Sequence, residues 1–182
     1  MWLGDVPRPG TRKARPLLYL DVDGVLNPEE PRPGFAEHAV GRLTVRVNPV
    51  HGTWLQDLSA RYDLVWATTW EEHANEYIGP LVGLPPLPHV EISAYASRDG
   101  DPRTPLLQLL RMRKWAPILR HAEGRPFAWV DDVIPLTVRR QAFPHRRALR
   151  LIPVRPEVGL TRHHVDALHR WGARLERRGF RA

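Results

Sequence analysis

The sequence predicts an α/β fold in three layers, with a mainly parallel sheet between two layers of helices. Short apolar runs such as Leu17–Leu20 and Phe127–Val130 have the length of fully buried strands. Stretches with helical spacing of apolar residues separate these runs, so strand and helix alternate along the chain, as a parallel sheet requires. Two of the runs, far apart in sequence, end in paired carboxylates, Asp21/Asp23 and Asp131/Asp132. Such tips can share one cation only if their strands are neighbours in a parallel sheet, whose carboxyl ends then form the site.

The 182 residues suit one domain of ordinary size with a real core. Residues 1–15 read as a mobile leader and residues 16–182 as a single domain. The Leu17–Leu20 run ends in Asp21-Val22-Asp23-Gly24, where Gly24 permits a sharp turn. Residues 27–50 are rich in Pro and Gly, with a strand pair around Leu43–Val47 that would form a flap over the acidic tip. Apolar residues at 54, 55 and 58 give a helix over 51–61 capped near Thr53. Residues 63–70 form a second buried strand ending in the hydroxyls of Thr68 and Thr69. A helix over Glu71–Ile78 stops at Gly79-Pro80, residues 85–88 make a rigid connector, and His89–Ser93 is a third strand.

Residues 97–104 are turn-like. Thr104-Pro105 opens a helix whose apolar face is Leu106, Leu107, Leu109 and Leu110. Pro117 must break or restart that helix ahead of Ile118–Ala122. Phe127–Asp132 is the fourth strand and Leu149–Val154 the fifth. Thr161 caps a last helix to about Arg178, with Val165, Leu168, Trp171 and Leu175 at helical spacing. His163, His164 and His169 do not match a zinc spacing and read as helix-surface residues.

Composition narrows the chemistry. The absence of cysteine excludes a disulfide framework and a thiolate metal site. No apolar stretch has the length of a signal peptide or a membrane span, so a cytoplasmic protein with no membrane partner is expected. The net charge of +7 is uneven: residues 1–91 carry 8 Lys and Arg against 12 Asp and Glu, and residues 92–182 carry 19 against 8. The second half therefore stands at +11 and the first at −4. That asymmetry fits a polyanionic partner, but taken alone it fits better a coding bias that fills solvated faces with Arg, since no run is as dense as a basic arm. Lys13 and Lys114 are the only lysines among 27 basic residues, and where Arg is used so freely a retained Lys points to a need for its compact ammonium.

Two carboxylates at the tip of a buried strand repel each other and need a cation or a shared proton. Residues 21–27, Asp-Val-Asp-Gly-Val-Leu-Asn, resemble the first motif of the haloacid dehalogenase (HAD) superfamily of aspartate-nucleophile phosphatases and phosphotransferases. The resemblance implies that Asp21 attacks phosphorus to form an aspartyl-phosphate. It implies that Asp23 protonates the leaving group and then activates water. It also implies that Asp21, with the Asp23 carbonyl, binds Mg²⁺, next to Gly24 in the substrate-binding turn. Residues 63–70 resemble the second motif, in which Thr68, or else Thr69, hydrogen-bonds the phosphoryl group. Lys114 falls where the family places its third-motif lysine, with Arg111 and Arg113 as alternatives. Residues 127–132 resemble the fourth motif, with Asp131, Asp132 or both completing an oxygen-only Mg²⁺ site.

The resemblance also implies a Rossmann-like sheet of five strands in the order 5-4-1-2-3. The gaps of 44 residues from Asp23 to Thr68 and 45 from Thr68 to Lys114 leave no room for a sizeable cap. Val-Trp-Ala-Thr-Thr-Trp and Phe-Ala-Trp-Val-Asp-Asp further resemble the HAD branch of modular (Swiss Army Knife) RNA-repair proteins. The expectation is a Mg²⁺-dependent phosphomonoester hydrolase acting on a phosphorylated substrate such as RNA or DNA ends or nucleotides. Arg139, Arg140, Arg146 and Arg147 are candidate phosphate contacts. A nucleic-acid-binding protein with little turnover is the competing expectation.

Overall fold

The computed structural model describes residues 15–92 and 114–180. Residues 1–14 of the leader, the turn at 97–104, the helix opened by Thr104-Pro105, and Arg111 and Arg113 lie outside the described residues. Six strands are present among the described residues: β1 (Leu17–Leu20), β2 (Ala36–Val40), β3 (Leu43–Val47), β4 (Asp63–Trp66), β5 (Phe127–Asp131) and β6 (Leu149–Pro153). The helices are α1 (Val50–Ser59), α2 (His73–Tyr77), α3 (Trp115–Ala122), α4 (Leu136–Ala142) and α5 (Arg162–Arg177).

Four strands form a parallel sheet in the order β4-β1-β5-β6, and β2 and β3 form a separate antiparallel hairpin. The central strand β1 is fully buried, with Leu20 level with Trp66 on one side and Val130 on the other. Successive side chains of a strand face opposite ways, and each face is covered. Leu18 and Leu20 pack in a core with Leu55 and Leu58 of α1 and Val165, Leu168 and Leu175 of α5. Leu17 and Tyr19 pack on the other face with Ile118 of α3 and Val138 of α4. The three layers follow from this division.

The third strand expected at His89–Ser93 reduces, over its described residues, to one parallel bridge between His89 and Trp66. Trp66 N–H donates to Pro88 O at 2.8 Å, and Val90 N–H to Trp66 O at 2.9 Å. The ladder goes no further because both groups that would extend it are diverted. Ile92 N–H donates to the Glu71 carboxylate at 2.6 Å, and the Thr68 carbonyl accepts from Glu71 N–H at 3.1 Å. The five-stranded order is therefore seen as four strands plus this bridge at the β4 edge.

Helix starts differ from expectation for local reasons. α1 begins at Val50 rather than near Thr53, because Asn48 Oδ1 accepts the Val50 N–H at 3.0 Å. Pro117 sits in the first turn of α3, where its missing N–H has no helical partner to lose. α2 is shorter than expected, since Glu71 turns with a left-handed φ of 48° before His73. Thr161 does precede α5, and His164 completes the cap by accepting Thr161 N–H at Nδ1, 3.1 Å away. No helix among the described residues is long and apolar enough to cross a membrane.

Candidate active site

The sheet brings the carboxyl ends of β1, β4 and β5 to one edge. Asp21, the first residue after β1, is pinned by its backbone: its N–H donates to Val130 O at 3.1 Å, and Ala67 N–H donates to Leu20 O at 2.8 Å. Asp131 ends β5 beside it. Lys114, immediately before α3, sends its ammonium between the two carboxylates. Lys114 Nζ donates to Asp131 Oδ2 at 2.8 Å and also to Asp21 Oδ2. All three side chains are buried. The outer oxygens are held by backbone: Val22 N–H donates to Asp21 Oδ1 and Val133 N–H to Asp131 Oδ1, each at 2.8 Å. The Trp129 indole adds a third donor to Asp131, at 3.1 Å from Oδ2.

Asp132 is half-buried and completes a group of three carboxylates, with Asp21 and Asp131, that bring one oxygen each within 4.8 Å of one another. Its approach depends on Gly24, which adopts φ 72°; a Cβ there would stand 2.7 Å from Asp132 Cγ. Burial pushes the Asp21 carboxyl up to about 7, against the pull of the Lys114 ammonium, and Asp131 reinforces the rise. Burial alone would lower Lys114, but the two carboxylates outweigh it and hold the ammonium protonated. With all three carboxylates ionised, the ammonium leaves a net charge of −2. An oxygen-only set with that charge suits a hard divalent cation, which would also draw Asp21 toward its ionised form. The residues present therefore fit a metal.

Asp23 is exposed and stands outside the three-carboxylate group. The Trp70 indole N–H donates to Asp23 Oδ2 at 2.9 Å and the Asn27 side-chain amide to Oδ1 at 2.8 Å. Asn27 is fixed in turn through its own Oδ1, which accepts Arg46 N–H of β3 at 2.8 Å. Asp21, Asp23, Lys114, Asp132 and Thr69 line one cleft of about 360 Å³, and Thr44 and Arg46 of the hairpin form its far wall. The hairpin thus stands at the acidic tip where the flap was expected.

The two threonines separate. Thr69 is exposed and lines the cleft, whereas Thr68 is fully buried, with Oγ1 3.4 Å from the Trp70 N–H. Arg139, Arg140, Arg146 and Arg147 are exposed on α4 and the turn after it. The Arg146 guanidinium lies 4.6 Å from the centre of the Phe143 ring.

Sequence reasoning missed the residues that hold Asp23. Trp70 and Asn27 both lay inside quoted motifs, but their roles depend on how the chain turns after β4 and β1. Arg46 carried a weak signal, the alternation of Leu43–Val47 that puts Thr44 and Arg46 on one face of a strand.

Residues 17–165 match the family described as the HAD domain in Swiss Army Knife RNA repair proteins. No curated protein and no solved structure gives a significant match to the chain. The family match spans the whole sheet, from β1 through β6, and takes in every residue of the cleft described above. The chain belongs to the HAD superfamily, in the family of HAD domains of Swiss Army Knife RNA repair proteins.

Proposed function

We propose that the protein is a Mg²⁺-dependent phosphomonoester hydrolase working through an aspartyl-phosphate, with phosphorylated nucleic-acid ends or nucleotides as substrates. The observation that carries the reading is the buried contact of Lys114 with Asp21 and Asp131, beside Asp132, at the ends of adjacent parallel strands. Burying a cluster of charges of this kind is costly even when it is paired, and it is seldom kept for stability alone.

An Asp21 carboxylate oxygen attacks phosphorus in line, and the bond from phosphorus to the ester oxygen breaks. Asp23 gives its proton to the departing alcohol. It then takes a proton from water, which attacks the aspartyl-phosphate and releases inorganic phosphate and free Asp21. Trp70 and Asn27 hold the Asp23 carboxylate for both transfers. Lys114 offsets negative charge next to the nucleophile, and Thr69, the hydroxyl that faces the cleft, orients a phosphoryl oxygen. Asp21, Asp131 and Asp132 would hold Mg²⁺, which when bound supplies positive charge to the phosphoryl oxygens.

The family description, the +11 second half and the exposed arginines after β5 support a nucleic-acid substrate. The test is turnover of 5′- and 3′-phosphorylated oligonucleotides with Mg²⁺ and with EDTA, for the wild type and Asp21→Asn. Turnover that needs both Mg²⁺ and Asp21 is expected. Salt-sensitive oligonucleotide binding without any turnover, unchanged in Asp21→Asn, would instead favour the binding protein.

A further inference from the structure

A second cavity, of about 560 Å³, opens beside the acidic cleft and shares Asp23, Asn27, Thr44 and Thr69 with it. Its remaining walls have a different chemistry: Trp70, His73 and Tyr77 on one side, and Leu43 and Val45 of the hairpin on the other. The rings form a connected wall, with centroids 6.4 Å apart for Trp70 and Tyr77 and 6.1 Å for His73 and Tyr77. Leu43 is 58% exposed and Tyr77 37% exposed, large apolar surface left open at the edge of a polar site. The hydrophobic cores do not require either side chain there. The volume falls in the range of pockets that enclose small organic ligands, about 300–1,000 Å³.

Asp23 fixes what belongs in this cavity. Its carboxylate is bound by the Trp70 indole, so one ring touches both the proton donor and the aromatic wall. In the proposed reaction Asp23 faces the leaving oxygen, and the group attached to that oxygen must extend past Asp23 into the second cavity. We infer that this cavity is the leaving-group subsite and takes the nucleobase of the phosphorylated nucleotide, stacked on the Tyr77 ring with Trp70, tilted 57° to that ring, at its side, and covered by Leu43. This rests on the phosphatase reading. Rings stack on any base, so the subsite recognises a nucleobase without reading its identity, while Thr44 and Asn27 lie within the sugar's path.

The experiment compares adenosine monophosphates with ribose phosphates carrying the phosphate on the same oxygen, 3′ or 5′, in the wild type, Tyr77→Ala and Tyr77→Phe. Adenosine binding is measured separately by calorimetry. The nucleotide is expected to exceed the sugar phosphate by about tenfold or more in kcat/KM. Tyr77→Ala should lose most of that ratio through KM and bind adenosine more weakly, and Tyr77→Phe should keep it. Equal kcat/KM for the two substrates, or a Tyr77→Ala loss of the same size on both, would overturn the subsite. If no phosphate ester is turned over, the phosphatase reading fails by itself. Adenosine binding that depends on the Tyr77 ring would then still support a nucleobase site in this cavity, though not its leaving-group role, and absence of adenosine binding would overturn both.

Discussion

Lys114 Nζ donates to Asp131 Oδ2 across 2.8 Å, joining the residue that enters α3 to the last residue of β5. The same ammonium reaches Asp21, so one cation serves carboxylates from two neighbouring strands.

Removing it leaves two buried carboxylates facing each other. Lys114→Ala is expected to lower kcat by about 10²-fold or more. In EDTA it should also lower stability by roughly 3 kcal/mol, part of which Mg²⁺ restores. Lys13→Ala, in the leader, serves as the comparison. Steady-state kinetics and urea denaturation with and without Mg²⁺ check this, and equal small effects from both substitutions would make Lys114 a mere structural charge.

Gly24→Ala tests the metal set. The added methyl would collide with Cβ and Cγ of Asp132 at 2.8 and 2.7 Å, and the φ of 72° would be strained. Displacement of Asp132 should weaken Mg²⁺ binding by about tenfold or more while the far-UV circular dichroism stays native. Calorimetric titration with Mg²⁺ reads the first and the spectrum the second. Unchanged Mg²⁺ affinity would remove Asp132 from the site.

His51 gives a prediction about pH. Its ring is buried in α1, Nε2 lies 3.1 Å from Leu160 O, and Nδ1 has no hydrogen-bond partner among the described residues. Burial pulls its pKa down to about 4 from an ordinary 6.5, so the folded protein keeps the ring neutral. The unfolded chain takes up a proton first as pH falls below about 6.5. The His51 contribution to stability should therefore drop between pH 6.5 and 4, by about 3 kcal/mol, and level off below, while Asp21, raised to about 7, contributes with the opposite sign over the same window. Urea midpoints at pH 7, 5.5 and 4.5 for the wild type and His51→Phe isolate this contribution as their difference, which should shift against the wild type as pH falls; a pH-independent difference would remove it.

Salt separates substrate classes. A substrate held partly by Arg139, Arg140, Arg146 or Arg147 releases counterions on binding, so kcat/KM for a phosphorylated oligonucleotide should fall steeply with ionic strength. A hexose phosphate should show a shallow dependence and a lower rate. A hexose phosphate turned over as well as the oligonucleotide, with no salt dependence for either, would leave a small-molecule phosphatase.

The strands that carry Asp21 and Asp131 were legible because both are apolar runs, as burial requires, that end abruptly in acid. Lys114 was legible from its place ahead of the fourth strand, where the resemblance puts a lysine, and from the scarcity of lysine. The third strand was not, because its ladder is cut by Glu71, a side chain from another segment whose carboxylate captures Ile92 N–H. Nor could sequence decide between Thr68 and Thr69, since adjacent residues differ only in how the turn after β4 aims them. The hold of Trp70 and Asn27 on Asp23 is tertiary geometry of the same kind, and it leaves no trace in spacing.

The position of β1 carries one more consequence. Its backbone pairs on both sides, and its side chains are covered on both faces. Amides in such a strand exchange with deuterated solvent only when the whole domain unfolds, whereas the outward-facing β2 can exchange by local opening. Asp21, tied to Val130 at the end of β1, shares the fate of that strand. Mutations that lower global stability should thus shrink the active fraction of molecules without altering the turnover of those still folded. Changes in the hairpin should alter turnover while leaving the slowest-exchanging amides untouched.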